Sequence, residues 1–392
     1  MKKLLLISSL FYSIFFSSAF SEIKIGILFG FTGPIETLTP IMAESAELAF
    51  QEASDSELLL DGEKIISVRA DSTCTNPDAA SEAAKKIISE NVAAIVGAIC
   101  LEETKTILSK SKILDKITLI SPAASFPSLK DLQRKNIFYS IGTSDNRGGQ
   151  ILADITKDKK IKKIAIIHAK DDYGKNLVKV YKSAIEKKGI IITTILDHEN
   201  EKKDYSSEVA TLASAGGDAV AILGSYEKGG REIIQASLDS GAFDRFILSD
   251  RMINQSLLDT FGNKLKKSSA YISGSTGKGA NYFHKVAETG GIDSSAPYVG
   301  ESYDAAALIV LAIQAGGSAD RKTIAKNIIK VSNSPGVKIF PGELKKGLDL
   351  LAKGKEIDYE GATRVNFTND GEAIGSFLEL KFKGKKFITK QR

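Results

Sequence analysis

The chain of 392 residues has no Trp, two Cys, three His, three Met and eight Pro, and these shortages close off several classes of protein. His168, His198 and His284 stand far apart, so neither a metal-binding helix nor a Cys-His zinc site can be assembled from neighbouring residues. The pattern G-x-S-x-G is absent, which leaves a hydrolase of that type unsupported. Gly274-Ser275-Thr276-Gly277-Lys278-Gly279 hints at a phosphate loop, but Ile272 stands where the first Gly is needed and Gly279 where Ser or Thr must follow the Lys. With no metal cluster and no activated nucleophile in view, the expectation is a binding protein that is not an enzyme and needs no cofactor. What is present, 43% hydrophobic and 26% charged residues with 33 Gly, is the profile of a globular protein able to bury a full core.

The N-terminus has the shape of an export signal. Met1, Lys2 and Lys3 form a basic start, Leu4 to Phe16 is an apolar run relieved by Ser8, Ser9 and Ser13, and Ala19-Phe20-Ser21 offers a small-x-small site. Cleavage after Ser21 is expected, because the apolar run falls short of the roughly 20 residues that a spanning helix needs. Loss of Lys2 and Lys3 takes the 53 basic residues to 51 against 48 acidic, a net of +3 where the full chain has +5. Lys pairs at 159 and 160, 162 and 163, 187 and 188, and 345 and 346 are scattered rather than striped, so neither nucleic acid nor a membrane surface is expected as a partner. Cys74 and Cys100 both lie in the exported part, where a pair is most simply a disulfide contributing roughly 3 to 4 kcal/mol by chain entropy; two buried thiols are the alternative.

From Ile23 onward, short apolar runs alternate with amphipathic stretches. Strands are expected at Ile23 to Phe29, Ile65 to Arg69, Ala93 to Val96, Ile117 to Ile120, Ile164 to His168, Ile190 to Leu196, Ala219 to Leu223 and Phe246 to Leu248. Helical patterns separate them at Pro77 to Glu90, Tyr173 to Lys188, Tyr205 to Ala215 and Gly230 to Ser240. This alternation predicts an α/β fold of two doubly wound parallel sheets, one ending near Ile137 to Ser140 and the next starting at Ile164, joined by several crossings that act as a hinge. After Ala270 to Thr276, with strand character, come helices at Asn281 to Thr289, Ser302 to Ala315 and Thr323 to Val331, and Ser376 to Phe382 alternates like a strand. The expected division is a signal peptide at 1–21, one lobe at 22–142 with about 273–360, and a second at 143–272 with about 361–392.

Candidate binding residues follow strand ends, where open α/β sheets hold ligands and helix amino ends favour anions. They include Cys100 to Thr104, Ser121-Pro122-Ala123-Ala124-Ser125, Gly224-Ser225-Tyr226 and Ser249-Asp250-Arg251. A Ser or Asp at such a place also serves as an ordinary helix cap.

The ordered set Thr32-Gly33-Pro34, Ala70 to Cys74, Gly97-Ala98-Ile99-Cys100, Ser121 to Ser125, Asp172-Tyr173-Gly174 and Gly300-Glu301-Ser302-Tyr303-Asp304 resembles the periplasmic leucine/isoleucine/valine-binding proteins across the whole mature chain. The resemblance implies the type I periplasmic-binding-protein fold, with two lobes joined by three crossovers that close on the ligand, and a Cys74–Cys100 disulfide. It further implies a monomeric periplasmic protein that delivers an amino acid, of branched-chain type, to the permease of an ABC importer in the inner membrane. It puts the ligand carboxylate at Leu101 and Ala123, Ala124 and Ser125, the ammonium at Asp250, and aromatic walls at Tyr173 and Tyr226; Tyr298 and Glu301 join the candidate set.

The sequence departs from that pattern at two places. Leu101 stands where the family commonly has Ser, with Glu102 and Glu103 after it, and Arg251 follows Asp250 where relatives often have a small residue. These charges are either solvated helix-start residues or, with Glu36, members of a pocket for a cationic or otherwise atypical amino acid. Another small polar solute such as an amide, urea or polyamine, and a ligand-sensing receptor on the same fold, are the alternatives.

Overall fold

The computed structural model describes residues 22–392 apart from 111–116, 125–128, 130–131, 133–136, 143–144, 201 and 275–276. The expected signal peptide at 1–21 and Ser125 therefore lie outside the described residues.

Strand β1 (Glu22–Phe29) pairs in parallel with β2 (Lys64–Asp71) and β3 (Ala94–Gly97), followed outward by β4 (Thr118–Ser121) and β5 (Phe138–Ser140), in the order β2-β1-β3-β4-β5. The same order recurs in the second sheet. There β6 (Lys163–Ala169), β7 (Ile191–His198), β8 (Ala219–Leu223), β9 (Phe246–Leu248) and β10 (Ser269–Ser273) form β7-β6-β8-β9-β10. Strands β11 (Val337–Ile339) and β12 (Ile357–Tyr359) pair apart from both sheets, and β13 (Phe377–Lys383) with β14 (Lys386–Gln391) adds an antiparallel hairpin beside β10.

Why the strands are continuous apolar runs is clear from their faces. Ile23, Ile25, Ile27 and Phe29 of β1 enter a core shared with helices Thr39–Asp55, Val299–Gly316 and Arg321–Ser332, while Leu28 points to the opposite core with Ala80, Ala84 and Ile87 of helix Pro77–Ser89. In β6, Ala165 and Ile167 face one core and Ile164 and Ile166 the other. Both sheets are thus covered on both sides, and a period of two has no polar half to reveal it.

Phe138–Ser140 forms a fifth strand beyond the four expected of the first sheet, pairing Leu119 with Phe138 and Ile120 with Tyr139. The chain crosses between the two sheets after Ser140, where helix Asp145–Asp158 begins the second core, and again between Ser273 and helix Gly277–Thr289, whose Phe283 and Ala287 belong to the first. It crosses a third time between Ala373, in the first core, and Phe377, in the second. Ala362, Val365 and Phe367 also pack in the first core.

One buried carboxylate fastens the return segment. Asp304, fully buried on helix Val299–Gly316, accepts hydrogen bonds from the Tyr359 hydroxyl at 2.8 Å, the Ala362 amide at 2.8 Å, and the Thr363 amide and hydroxyl at 2.9 and 2.7 Å. Asp304→Ala strands several donors away from water, so urea unfolding is expected to show a loss of about 3 to 5 kcal/mol. A loss below about 1 kcal/mol would show that the segment is held by other contacts.

Candidate functional site

The crossings leave from the carboxyl ends of β5 and β10, and the third reaches β13 at Phe377, which pairs with Ser273 at the carboxyl end of β10. The carboxyl edges of both sheets therefore meet at the same junction.

On the first sheet, the loop after β1 is tied to the end of β2: the Thr32 hydroxyl and amide donate to Asp71 at 2.6 and 3.3 Å, and the Thr73 amide at 2.8 Å. Partial burial raises the Asp71 pKa, but these donors outweigh it and leave the carboxyl below its ordinary range. Gly97 ends β3 at φ +130°, with the Leu28 carbonyl 2.3 Å from where a Cβ would stand, so only glycine fits. Cys100 then heads helix Leu101–Ser109 without a side-chain cap and is bonded to Cys74, with their Cα atoms 5.5 Å apart. Ser121 closes the loop after β4, donating to the Ala98 carbonyl at 2.5 Å and accepting from the Ala124 amide at 2.9 Å. Ala124 is buried and Ala123 half-buried.

On the second sheet, Asp250 opens a tight turn, Asp250–Met252, after β9. The Tyr173 hydroxyl donates to Asp250 Oδ1, and the Tyr271 hydroxyl donates to the same oxygen at 3.3 Å. Tyr173 starts from beyond β6, whose neighbour is β8, so the pair spans the middle of the sheet edge. Burial, and then the Asp250 carboxylate, hold the Tyr173 hydroxyl well above the usual phenol range, which keeps it a donor. The Arg251 guanidinium lies 3.7 Å from the centre of the Tyr173 ring.

Sequence reasoning named Asp250, Tyr173 and Arg251, and these three come together. Tyr271 was missed. It sits in an apolar strand and shows no pattern apart from core packing, and only Gly148, where a Cβ would come within 2.4 Å of its hydroxyl, makes room for it. Tyr226 is placed differently: it is buried in the core on one face of the second sheet, and its hydroxyl reaches the Ser256 carbonyl and Thr260 at 3.3 Å. Glu36 is exposed, Glu102 is exposed and paired with Lys105 at 2.8 Å, Glu103 is buried, and Leu101 packs partly into the first lobe's second core. Tyr298, 42% exposed, precedes helix Val299–Gly316 in a left-handed conformation.

Glu301 is buried in the first turn of that helix, and a Cβ on Gly274 would lie 3.4 Å from its Oε1, so the carboxyl rests against the second crossing. Among the described residues no group of three or more His, Cys, Asp or Glu could hold a metal ion, and no helix is long and apolar enough to cross a membrane.

The family model described as periplasmic binding protein matches residues 22–346. The chain belongs to that family. Relatives of this periplasmic binding protein include a Leu/Ile/Val-binding protein homolog 3 of Brucella melitensis, 31% identical over 55% of this chain and 58% of the relative. A Leu/Ile/Val/Thr-binding protein of Salmonella typhimurium is 26% identical over 62% of this chain and 65% of the relative. The match thus spans less than two thirds of the length of these curated relatives. A Streptococcus pneumoniae branched-chain amino acid transporter substrate-binding protein, solved with isoleucine, has the same fold with a TM-score of 0.65 at 18% identity, covering 95% of this chain and 100% of that one.

Burial, with Asp304 adding to it, raises the Glu301 pKa from 4.5 to about 7. A carboxyl whose folded pKa is raised contributes stability that is present below its unfolded pKa and lost as pH rises through the folded one. Glu301→Gln mimics the protonated form, so between about pH 4.5 and 7 its unfolding free energy is expected to gain on that of the wild type. Parallel curves in urea titrations across that range would show that Glu301 is solvated in the folded protein.

Proposed function

We propose that this chain is the extracytoplasmic receptor of an ABC importer, binding an amino acid between its two lobes and presenting it to a membrane permease without transforming it. The observation that carries the reading is Asp250, a carboxylate oriented by two phenol hydroxyls at the carboxyl edge of one sheet, while helix Leu101–Ser109 begins without a side-chain cap at the carboxyl edge of the other. The carboxylate suits an α-ammonium and the helix end, with the Ala123 and Ala124 loop, suits an α-carboxylate. A zwitterion bridging the two draws the edges together, and the crossings act as the hinge.

The lobes of this reading are the first sheet with the segments from helix Gly277–Thr289 to Ala373, and the second sheet with its C-terminal hairpin. Export by the N-terminal signal, location in the periplasm and a monomeric state accompany it. The names of the relatives support an amino acid and make leucine, isoleucine and valine the reference ligands.

A thermal-shift screen of mature protein, unfolded and refolded to strip carried ligand, tests the reading against amino acids, amides, polyamines and small carboxylates. A ligand that binds only the native state raises the midpoint. Amino acids are expected to shift it and Asp250→Ala to abolish the shift, since an unpaired ammonium in a closed cleft costs about 2 to 5 kcal/mol. Shifts from amides or polyamines alone, or full binding by the Ala variant, would contradict the reading.

A further inference from the structure

Arg251 is a charge that a simple zwitterion leaves over. It is the second residue of the turn Asp250–Met252, its guanidinium stacks 3.7 Å from the centre of the Tyr173 ring, and the hydroxyl of that ring donates to Asp250. Stacking fixes the plane of the guanidinium while leaving its edge of N–H donors open. The side chain is exposed, and among the described residues no carboxylate lies within ion-pairing distance of it.

Glu102 is turned to solvent with Lys105, and the uncapped end of helix Leu101–Ser109 is available to one carboxylate. If Asp250 takes the ammonium and the helix end takes the α-carboxylate, a simple zwitterion leaves no group for Arg251 when closure removes water from it. A desolvated, unpaired guanidinium costs several kcal/mol, whereas a carboxylate meeting its planar fork with two hydrogen bonds removes that cost. A cationic side chain in the same place meets a like charge, and an aliphatic one offers no acceptor.

We infer that the ligand is an amino acid whose side chain ends in a carboxylate, and that Arg251 is the residue that selects it. This rests on the amino-acid reading above and narrows it to one side-chain class.

Calorimetry on ligand-stripped protein with L-glutamate, L-aspartate and L-leucine, for the wild type and Arg251→Gln, is the test. The wild type is expected to bind one acidic amino acid at least tenfold more tightly than leucine. Arg251→Gln should weaken that binding at least tenfold while leaving leucine unchanged or improved, and Arg251→Lys, which keeps the charge but loses the fork, should fall between. Because Arg251 is exposed, the variants are expected to melt with the wild type, which circular dichroism checks. Tighter binding of leucine by the wild type overturns the inference and leaves the amino-acid reading standing. So does an equal loss for leucine and glutamate in Arg251→Gln, which would put Arg251 on the α-carboxylate. Silence from every amino acid overturns both.

Discussion

Every crossing between the two sheets passes at their carboxyl edges, and the rest of the molecule depends on that constraint. The carboxyl edge is where parallel strands hand over to helices, so the loops there present main-chain amides, short side chains and helix amino ends. Joining two such edges by short segments after Ser140, after Ser273 and before Phe377 turns two unremarkable sheet ends into the walls of one cleft. Three short connections also favour hinge opening over independent movement of the lobes.

The buried polar groups follow the same logic. Asp304 fastens the returning chain to helix Val299–Gly316 through four hydrogen bonds, and one turn earlier on that helix Glu301 lies against the second crossing. A helix whose residues Val299 to Gln314 are all buried thereby holds both the returning chain and the second crossing. On the other side, Tyr173 and Tyr271 hold one oxygen of Asp250, and under the proposed reading a carboxylate oriented in this way leaves little reorganisation to oppose binding.

Much of this was legible in the sequence because the signals were local. Val, Ile and Ala runs bounded by polar turns located β1 to β4 and β6 to β9 within a residue or two at most ends, and the spacing of the two cysteines was compatible with the bridge that joins them. The short strand Phe138–Ser140 lies outside the expected strands, since three residues carry too little periodicity to be recognised alone. At the candidate site, Asp250 stands out by its position after a strand and Tyr173 by the family resemblance, but their contact joins residues 77 apart and is invisible to spacing. Tyr226 follows its strand directly and is nevertheless packed into a core, because the helical turn Tyr226–Gly230 after β8 carries its ring inward to helix Gln255–Phe261. Tyr271 could not be told from a core aromatic, for it is one apart from its hydroxyl.

The central claim is that ligand closes the cleft by drawing the two carboxyl edges together. Pulsed electron spin resonance between nitroxide labels at Ser109 and Lys228, exposed positions beyond the first-sheet strand β3 and the second-sheet strand β8, measures it most directly. With an amino acid that calorimetry shows to bind, the account predicts a shorter and narrower distance distribution than in the stripped protein. An unchanged distribution at saturating ligand would mean that binding takes place without closure, and would contradict it.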